Sequence, residues 1–215
     1  TPYGITYRAL VHRDVANLMF AGRCASASHL AMSSMRVMGT GCSMGQAAGT
    51  AAAMAADQGC EPRAVDVPTL QQALLRDDAY LPGVAQKFGP LTTGATLSAS
   101  AGDPAALRDG TNRPVGDETH AWTCRPGDSV VLELAEPARV DTVTAIGASG
   151  LDKDIIMSYH SGRSLTHLPP EVVKSCTLEV RSGGTWQRVT DLTGNRRRLM
   201  RLPVEREVDA VRWTL

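Results

Sequence analysis

Between Ala21 and Ala55 the chain reads "AGRCASASHLAMSSMRVMGTGCSMGQAAGTAAAMA", a run of Gly, Ala, Ser and Met with one His and two Arg set into it. Side chains this small do not fill a core by volume, so elements built from them pack with their backbones close together or against a flat ligand. In "CSMGQAAGTAAAMAADQG" the residues Gly45, Ala48, Gly49 and Ala52 recur at i, i+3, i+4 and i+7, one face of a helix. Ser43 is its predicted N-cap and Gly59 the residue just past its end. Upstream, "ANLMFAGR" is an apolar run bounded by Asn17 and Gly22, the pattern of a short buried inner strand. A strand, a loop and a helix start, in that order, offer unpaired N–H groups and a positive dipole end to whatever lies above the helix. On spacing alone two readings stand, a ligand cradle and a close helix-on-sheet contact. In the first, Arg23 and Arg36 supply charge to phosphates or to an electron-rich ring.

The rest of the composition narrows the partners. Lys plus Arg and Asp plus Glu are 22 each in 215 residues, so no global field draws the chain toward nucleic acid or anionic lipid. Arg23, His29, Arg36 and Gln46 interrupt the Ala-rich run, which excludes it as a membrane span. The opening "TPYGITYRAL" has no basic region followed by an apolar one and does not read as a signal peptide, which leaves localisation open. The five cysteines, Cys24, Cys42, Cys60, Cys124 and Cys176, show no paired short spacing. They are expected to be free thiols rather than a disulfide framework or a zinc site, and no metal is expected.

Along the chain the composition changes once. Up to about Tyr80 it is rich in Ala and Met at helical spacing, including "DVPTLQQALLRDD", a helix capped by Asp66 with Pro68 in its first turn and Leu70, Ala73 and Leu74 on its buried side. After "LPGVAQKFGPLTTG" it turns to Val, Thr and Leu in alternation with turn residues. The expected organisation is a first domain over 1–80, a linker over 81–94 and a second domain over 95–215. In the second, "SVVLELAEPARVDTVTAIG" reads as a hairpin or meander around "AEPAR", and "SCTLEVRSGGTWQRVTDLTG" as two strands joined at Gly183 and Gly184. "RRRLMRLP" and "VDAVRWTL" complete a set of short strands that argues for an antiparallel β-sandwich. The run "NRRRLMR" is basic, but strand alternation is expected to split it across two faces.

From Tyr3 to Gly59 the stretch "YGITYRAL…NLMFAGRCASASHLAMSSMRVMGTGCSMGQAAGTAAAMAADQG" resembles the C-terminal part of the flavin domain in FAD-dependent oxidoreductases related to the glutathione-reductase-like flavoproteins. The resemblance implies an α+β chain, the C-terminal piece of a Rossmann-like FAD-binding domain followed by the sandwich. It implies Gly22 and Arg23 near the ribityl or pyrophosphate region, and Met44, Gly45, Gln46 and Ala47 beside the pyrimidine edge of the flavin, with Arg36 nearby. His29 is the candidate base for the proton that leaves a substrate as its hydride goes to the flavin. Leu30 stands where the family carries Glu, and Gly39 where it often carries Pro. The Gly-x-Gly-x-x-Gly fingerprint of the dinucleotide half occurs nowhere in these residues. A second polypeptide or cleaved fragment carrying that half is therefore the expected partner, and the substrate a small, sugar-like molecule.

From Thr93 to Leu215, "SASAGDPAALRDGTNRP…AWTCRPGDSVVLELAEPARVDTV" resembles the discoidin-like or galactose-binding-like jelly roll. This keeps a second function in play, a carbohydrate-binding or adhesion module with no catalysis of its own. Trp122, Trp186, His120 and Arg125 are residue types that stack on or clamp a sugar, while the favoured reading of the Trp pair is that it fills the core. "LDKDIIMSYHSGRSLTHLPPEVV", with Tyr159, His160, Arg163 and His167, reads as a long polar insertion, an interface loop or a plain surface loop.

Overall fold

The computed structural model describes residues 3–150 and 168–215; the insertion residues Tyr159, His160, Arg163 and His167 lie outside them. The chain forms two compact units, Thr1–Gln86 and Lys87–Leu215.

The first unit is helical. Helix α1 (His29–Met35) starts at Ser28, whose Oγ accepts from the Ala31 N–H at 3.3 Å. Helix α2 (Met38–Gln58) follows after two residues and ends at Gly59, which takes the left-handed conformation (φ 62°) that a side chain would strain. Helix α3 (Val67–Arg76) is capped by Asp66, whose Oδ2 accepts from the Thr69 N–H at 2.9 Å and the Thr69 hydroxyl at 2.6 Å. Two small cores result. Ala51 and Ala55 of α2 meet Val65, Leu70 and Leu74, and Met44 of α2 meets Leu10, Ala25 and Met35.

Two expectations fail in this unit. The "ANLMFAGR" segment is no buried strand; it forms one isolated antiparallel bridge, Val11 to Met19, and Leu18 is exposed. An inner strand needs ladder partners on both sides, and no strand of the described first unit supplies them. Ser43 is not the N-cap either. The helix begins five residues earlier, with Val37 at the cap position, and the Ser43 hydroxyl donates instead to the Gly39 carbonyl one turn back.

The second unit opens with the short helix α4 (Pro90–Thr93) and folds into one five-stranded antiparallel sheet. Its strands are β1 (Thr96–Ala99), β2 (Ser129–Ile146), β3 (Cys176–Ser182), β4 (Thr185–Leu192) and β5 (Leu199–Thr214), in the order β1-β2-β5-β3-β4. Gly183 and Gly184 join β3 to β4 with positive φ of 58° and 81°, the turn that suits a two-residue hairpin. The "AEPAR" segment is no hairpin turn. Leu134 to Pro137 bulge out of a continuous β2, which pairs with β5 on both sides of the bulge, from Ser129↔Thr214 to Ile146↔Leu199. Pro137 lacks the N–H a ladder position requires and sits in that bulge. "RRRLMRLP" and "VDAVRWTL" likewise fuse into the single strand β5.

β3 pairs only with Ala210 to Thr214 of β5, yet its Leu178 and Val180 share one core with Met200, Leu202 and Val204 from the far part of β5. The long β2–β5 ribbon therefore bends, at the bulge and at Glu205 (φ 52°), to bring its outer half over the sheet, the layering of a β-sandwich. Burial along β3 alternates strictly, with Cys176, Leu178 and Val180 inside.

Candidate functional site

The residues singled out by sequence cluster around the joint between α1 and α2, but they are not alike. Gly22, Arg23 and Cys24 form a 3-10 turn that opens with Gly22 at φ 63°. That turn lies against the first turn of α2, where a Cβ on Gly41 would stand 3.8 Å from the Gly22 Cα. Around Gly22, Gly39 and Gly45, by contrast, a Cβ would meet nothing within 4 Å, so the backbone there is open to a ligand. The N–H groups of Met38, Gly39 and Thr40 have no partner within the helix, because α2 begins at Met38.

Met44, Gly45, Gln46 and Ala47 stand elsewhere in the arrangement. They occupy the second and third turns of α2, where each N–H bonds to the carbonyl four residues back. The Met44 side chain is 2% exposed and packs in the core, and Ala47 is half-buried beside it. The Gln46 amide donates to the Asp77 carbonyl at 3.3 Å, tying α2 to the end of α3. The helix-start geometry expected of these four belongs instead to residues 38–40. Sequence reading missed this because Gly39 and Gly41 look like loop residues, yet both lie inside the helix.

His29 is the first residue of α1 and exposed, with Leu30, where the family pattern carries Glu, 84% exposed beside it. Arg23 and Arg36 are exposed too. None of His29, Arg23 and Arg36 makes a side-chain hydrogen bond or ion pair among the described residues, so all three remain available to a ligand. Val37 and Met38, at 52% and 76% exposure, add an uncovered apolar surface at the same joint.

In the sheet unit the sugar-clamp candidates separate. Trp122 is 9% exposed in the core, with its Nε1–H donated to the Ala101 carbonyl at 2.7 Å. Trp186 lies outside that core, with the Arg212 guanidinium 4.3 Å and the Arg181 guanidinium 5.5 Å from its ring centroid. Arg212 is held by Glu179 at 2.7 Å, and Arg181 by Glu133 at 3.0 Å and by Asp209. Asp209 first and then Glu133 raise the Arg181 pKa and fix the guanidinium as a charged strut. His120 Nδ1 meets Asp109 Oδ2 at 2.7 Å and Nε2 meets Glu118 Oε2 at 3.4 Å, so its ring braces a loop. The exposed Arg125 contributes its N–H to Asp128 Oδ2 at 2.7 Å. No two of these four are brought together as a clamp by any hydrogen bond, ion pair or ring contact among the described residues. No group of three or more His, Cys, Asp or Glu able to hold a metal is found there either.

Residues 1–74 match the family model for FAD dependent oxidoreductase. No curated protein matches the chain. Among solved structures, the chain is similar to chitosan-binding module 1 of a chitosanase/glucanase from Paenibacillus sp. IK-5, at 18% identity and TM-score 0.39 over 57% of this chain and 83% of that one. It is also similar to the family 32 carbohydrate-binding module of Streptococcus pneumoniae EndoD, at 17% identity and TM-score 0.40 over 58% and 83%. The family 32 module of C. perfringens NanJ, solved in complex with galactose, gives 12% identity and TM-score 0.39 over 58% and 83%.

The flavin that the matched family implies fits part of this segment. The open backbone at Gly22 and Gly39, the free N–H groups of residues 38–40 and the unengaged Arg23 and Arg36 suit a flat anionic group. The buried Met44 side chain does not reach one.

Proposed function

We propose that this chain is part of an FAD-dependent oxidoreductase and completes its flavin site, in company with a polypeptide or fragment that carries the dinucleotide-binding half. The observation that carries this reading is the match of residues 1–74 to the FAD dependent oxidoreductase family, taken with the open surface at the α1–α2 joint. When bound, FAD supplies hydride acceptance from an organic, sugar-like substrate. The chain's own residues orient and neutralise. Gly22 would let the backbone approach the cofactor, Arg23 and Arg36 would meet its charged parts, and the first turn of α2, with the open backbone at Gly45 beyond it, would stand at its pyrimidine side.

His29 takes the substrate proton. It is exposed at the start of α1, and Leu30 leaves it without the family's neighbouring carboxylate, so the imidazole alone is the group available to receive that proton. Leu30, Val37 and Met38 form the apolar surface that the dinucleotide-binding half covers.

The test is a visible absorption spectrum with intact mass on protein from its native source. A flavin spectrum together with a second polypeptide bearing Gly-x-Gly-x-x-Gly is the expected result. In that complex His29→Gln slows substrate-driven bleaching by about a hundredfold or more at unchanged flavin content, and Arg23→Ala lowers flavin retention. A chain that stays colourless when offered FAD and a dinucleotide-binding partner would overturn the reading.

A further inference from the structure

Between Leu10 and Phe20 the chain turns back on itself. The Phe20 N–H donates to the Leu10 carbonyl at 2.8 Å and the His12 N–H to the Leu18 carbonyl at 3.0 Å, on either side of the bridge from Val11 to Met19. Beyond that base, residues 13–18 are exposed. A side chain closes the near end of the loop. His12 Nδ1 accepts from the Asp14 N–H at 3.0 Å and from the Val15 N–H at 2.8 Å. A backbone N–H can only donate, so Nδ1 holds a lone pair and no proton.

The His12 ring lies 5.5 Å from the Phe20 ring, tilted at 53°. Two ion pairs flank the turn. Arg13 and Asp14 meet at 3.1 Å on the loop itself. From the opposite side Arg63 donates through Nη2 to the His12 carbonyl at 3.3 Å and to the Arg13 carbonyl at 3.0 Å, while its Nε meets Glu61 at 3.2 Å. Each guanidinium near the imidazole is thus matched by a carboxylate.

We propose that His12 is an acid-sensitive latch, holding the loop 12–18 closed while its imidazole is neutral and releasing it on protonation. A proton on Nδ1 takes the lone pair that both bonds use and turns the acceptor into a donor facing two donors. Protonation and closure exclude each other, so acid shifts the population toward the open loop. The base of the loop at Phe20 lies two residues before Gly22. The segment that acid releases therefore runs directly into the turn beside α2.

NMR of the full chain tests this through solvent exchange at the Asp14 and Val15 amides, each rate taken relative to an unstructured chain at the same pH. From about pH 7.5 to about pH 5 an imidazole passes from neutral to charged. Over that range protection at both amides should fall about tenfold, the order expected for two lost hydrogen bonds, while amides within α2 keep theirs. The ring nitrogen shifts of His12 should place its proton on Nε2 at the higher pH. His12→Asn offers a side-chain carbonyl that accepts from the N–H two residues on and does not titrate, so the loop should stay protected at both pH values. His12→Ala should leave the two amides unprotected at both. Protection in the native chain that survives acid, a proton found on Nδ1 at the higher pH, an acid loss that His12→Asn reproduces in full, or a loss shared by α2 overturns the proposal.

Discussion

Along α2 the buried positions are Met44, Ala51 and Ala55, whereas in the sheet unit they include Leu178, Val180, Val208, Val211 and Trp213. The helical unit closes two small cores of Ala, Val, Leu and Met side chains, and it leaves Leu30, Val37 and Met38 exposed. The sheet unit buries branched and aromatic side chains from β2, β3 and β5 in one cluster. Apolar area removed from water sets most of the driving force for folding, so the sheet unit is the more self-sufficient of the two.

The sharpest way to break that comparison is to cut each core in turn. Leu178→Ala, at a position with 0% exposure in the middle of β3, is expected to cost about 3–4 kcal/mol and to lower the melting transition of the sheet unit by at least about 10 °C. Calorimetry should show the helical unit's transition unmoved. One shared transition moving as a whole would show that the units do not fold independently.

Thiol reactivity sharpens the same contrast. Burial, with a smaller contribution from the Asp191 charge, pushes the Cys176 thiol up to about 11, so at pH 8 only about 0.1% of it is thiolate. Burial also raises Cys124, with Asp128 adding to it. Cys24 and Cys42 are exposed. A disulfide reagent at pH 8 should modify Cys24 and Cys42 at least about a hundredfold faster than Cys176, and peptide mapping by mass reads the order directly. Equal rates would mean the sheet core opens readily.

The smallest effect concerns Asp66. The Thr69 hydroxyl, and then the Thr69 N–H, hold its pKa below the usual carboxylate value. A carboxylate depressed in the folded state stabilises above its unfolded pKa, and that contribution is lost as pH falls through the folded one. Melting of the helical unit should therefore decline below about pH 4, and Asp66→Ala should flatten that part of the profile while lowering stability slightly at pH 7. An Asp66→Ala profile parallel to the native one would remove the cap from the account.

Three local signals were read correctly, and their causes lie within a few residues. Asp66 caps α3, Gly59 ends α2, and Gly183–Gly184 turns β3 into β4, each through backbone conformation or a bond within three residues. Readings that depended on distant neighbours went astray. Gly39 and Gly41 look like a loop, but the turn at Gly22 packs against Gly41 and the helix runs through both. "ANLMFAGR" has the composition of an inner strand, yet a strand exists only where ladder partners lie beside it.

By itself, then, the sequence determined the helical first part, the antiparallel second part, the helix ends at Asp66 and Gly59, the turn at Gly183 and Gly184, and the flavoprotein pattern of residues 1–74. Periodicity, capping and glycine conformation act over a few residues and are written in the chain. Only the tertiary structure decided that β2 and β5 run unbroken through a bulge, that Met44 is core, and that Trp186 lies outside the core with the Arg212 and Arg181 guanidinium groups 4.3 and 5.5 Å from its ring centroid. Each of these follows from which residues far apart in the chain come to lie side by side, and burial and electrostatics depend on that neighbourhood rather than on order along the chain.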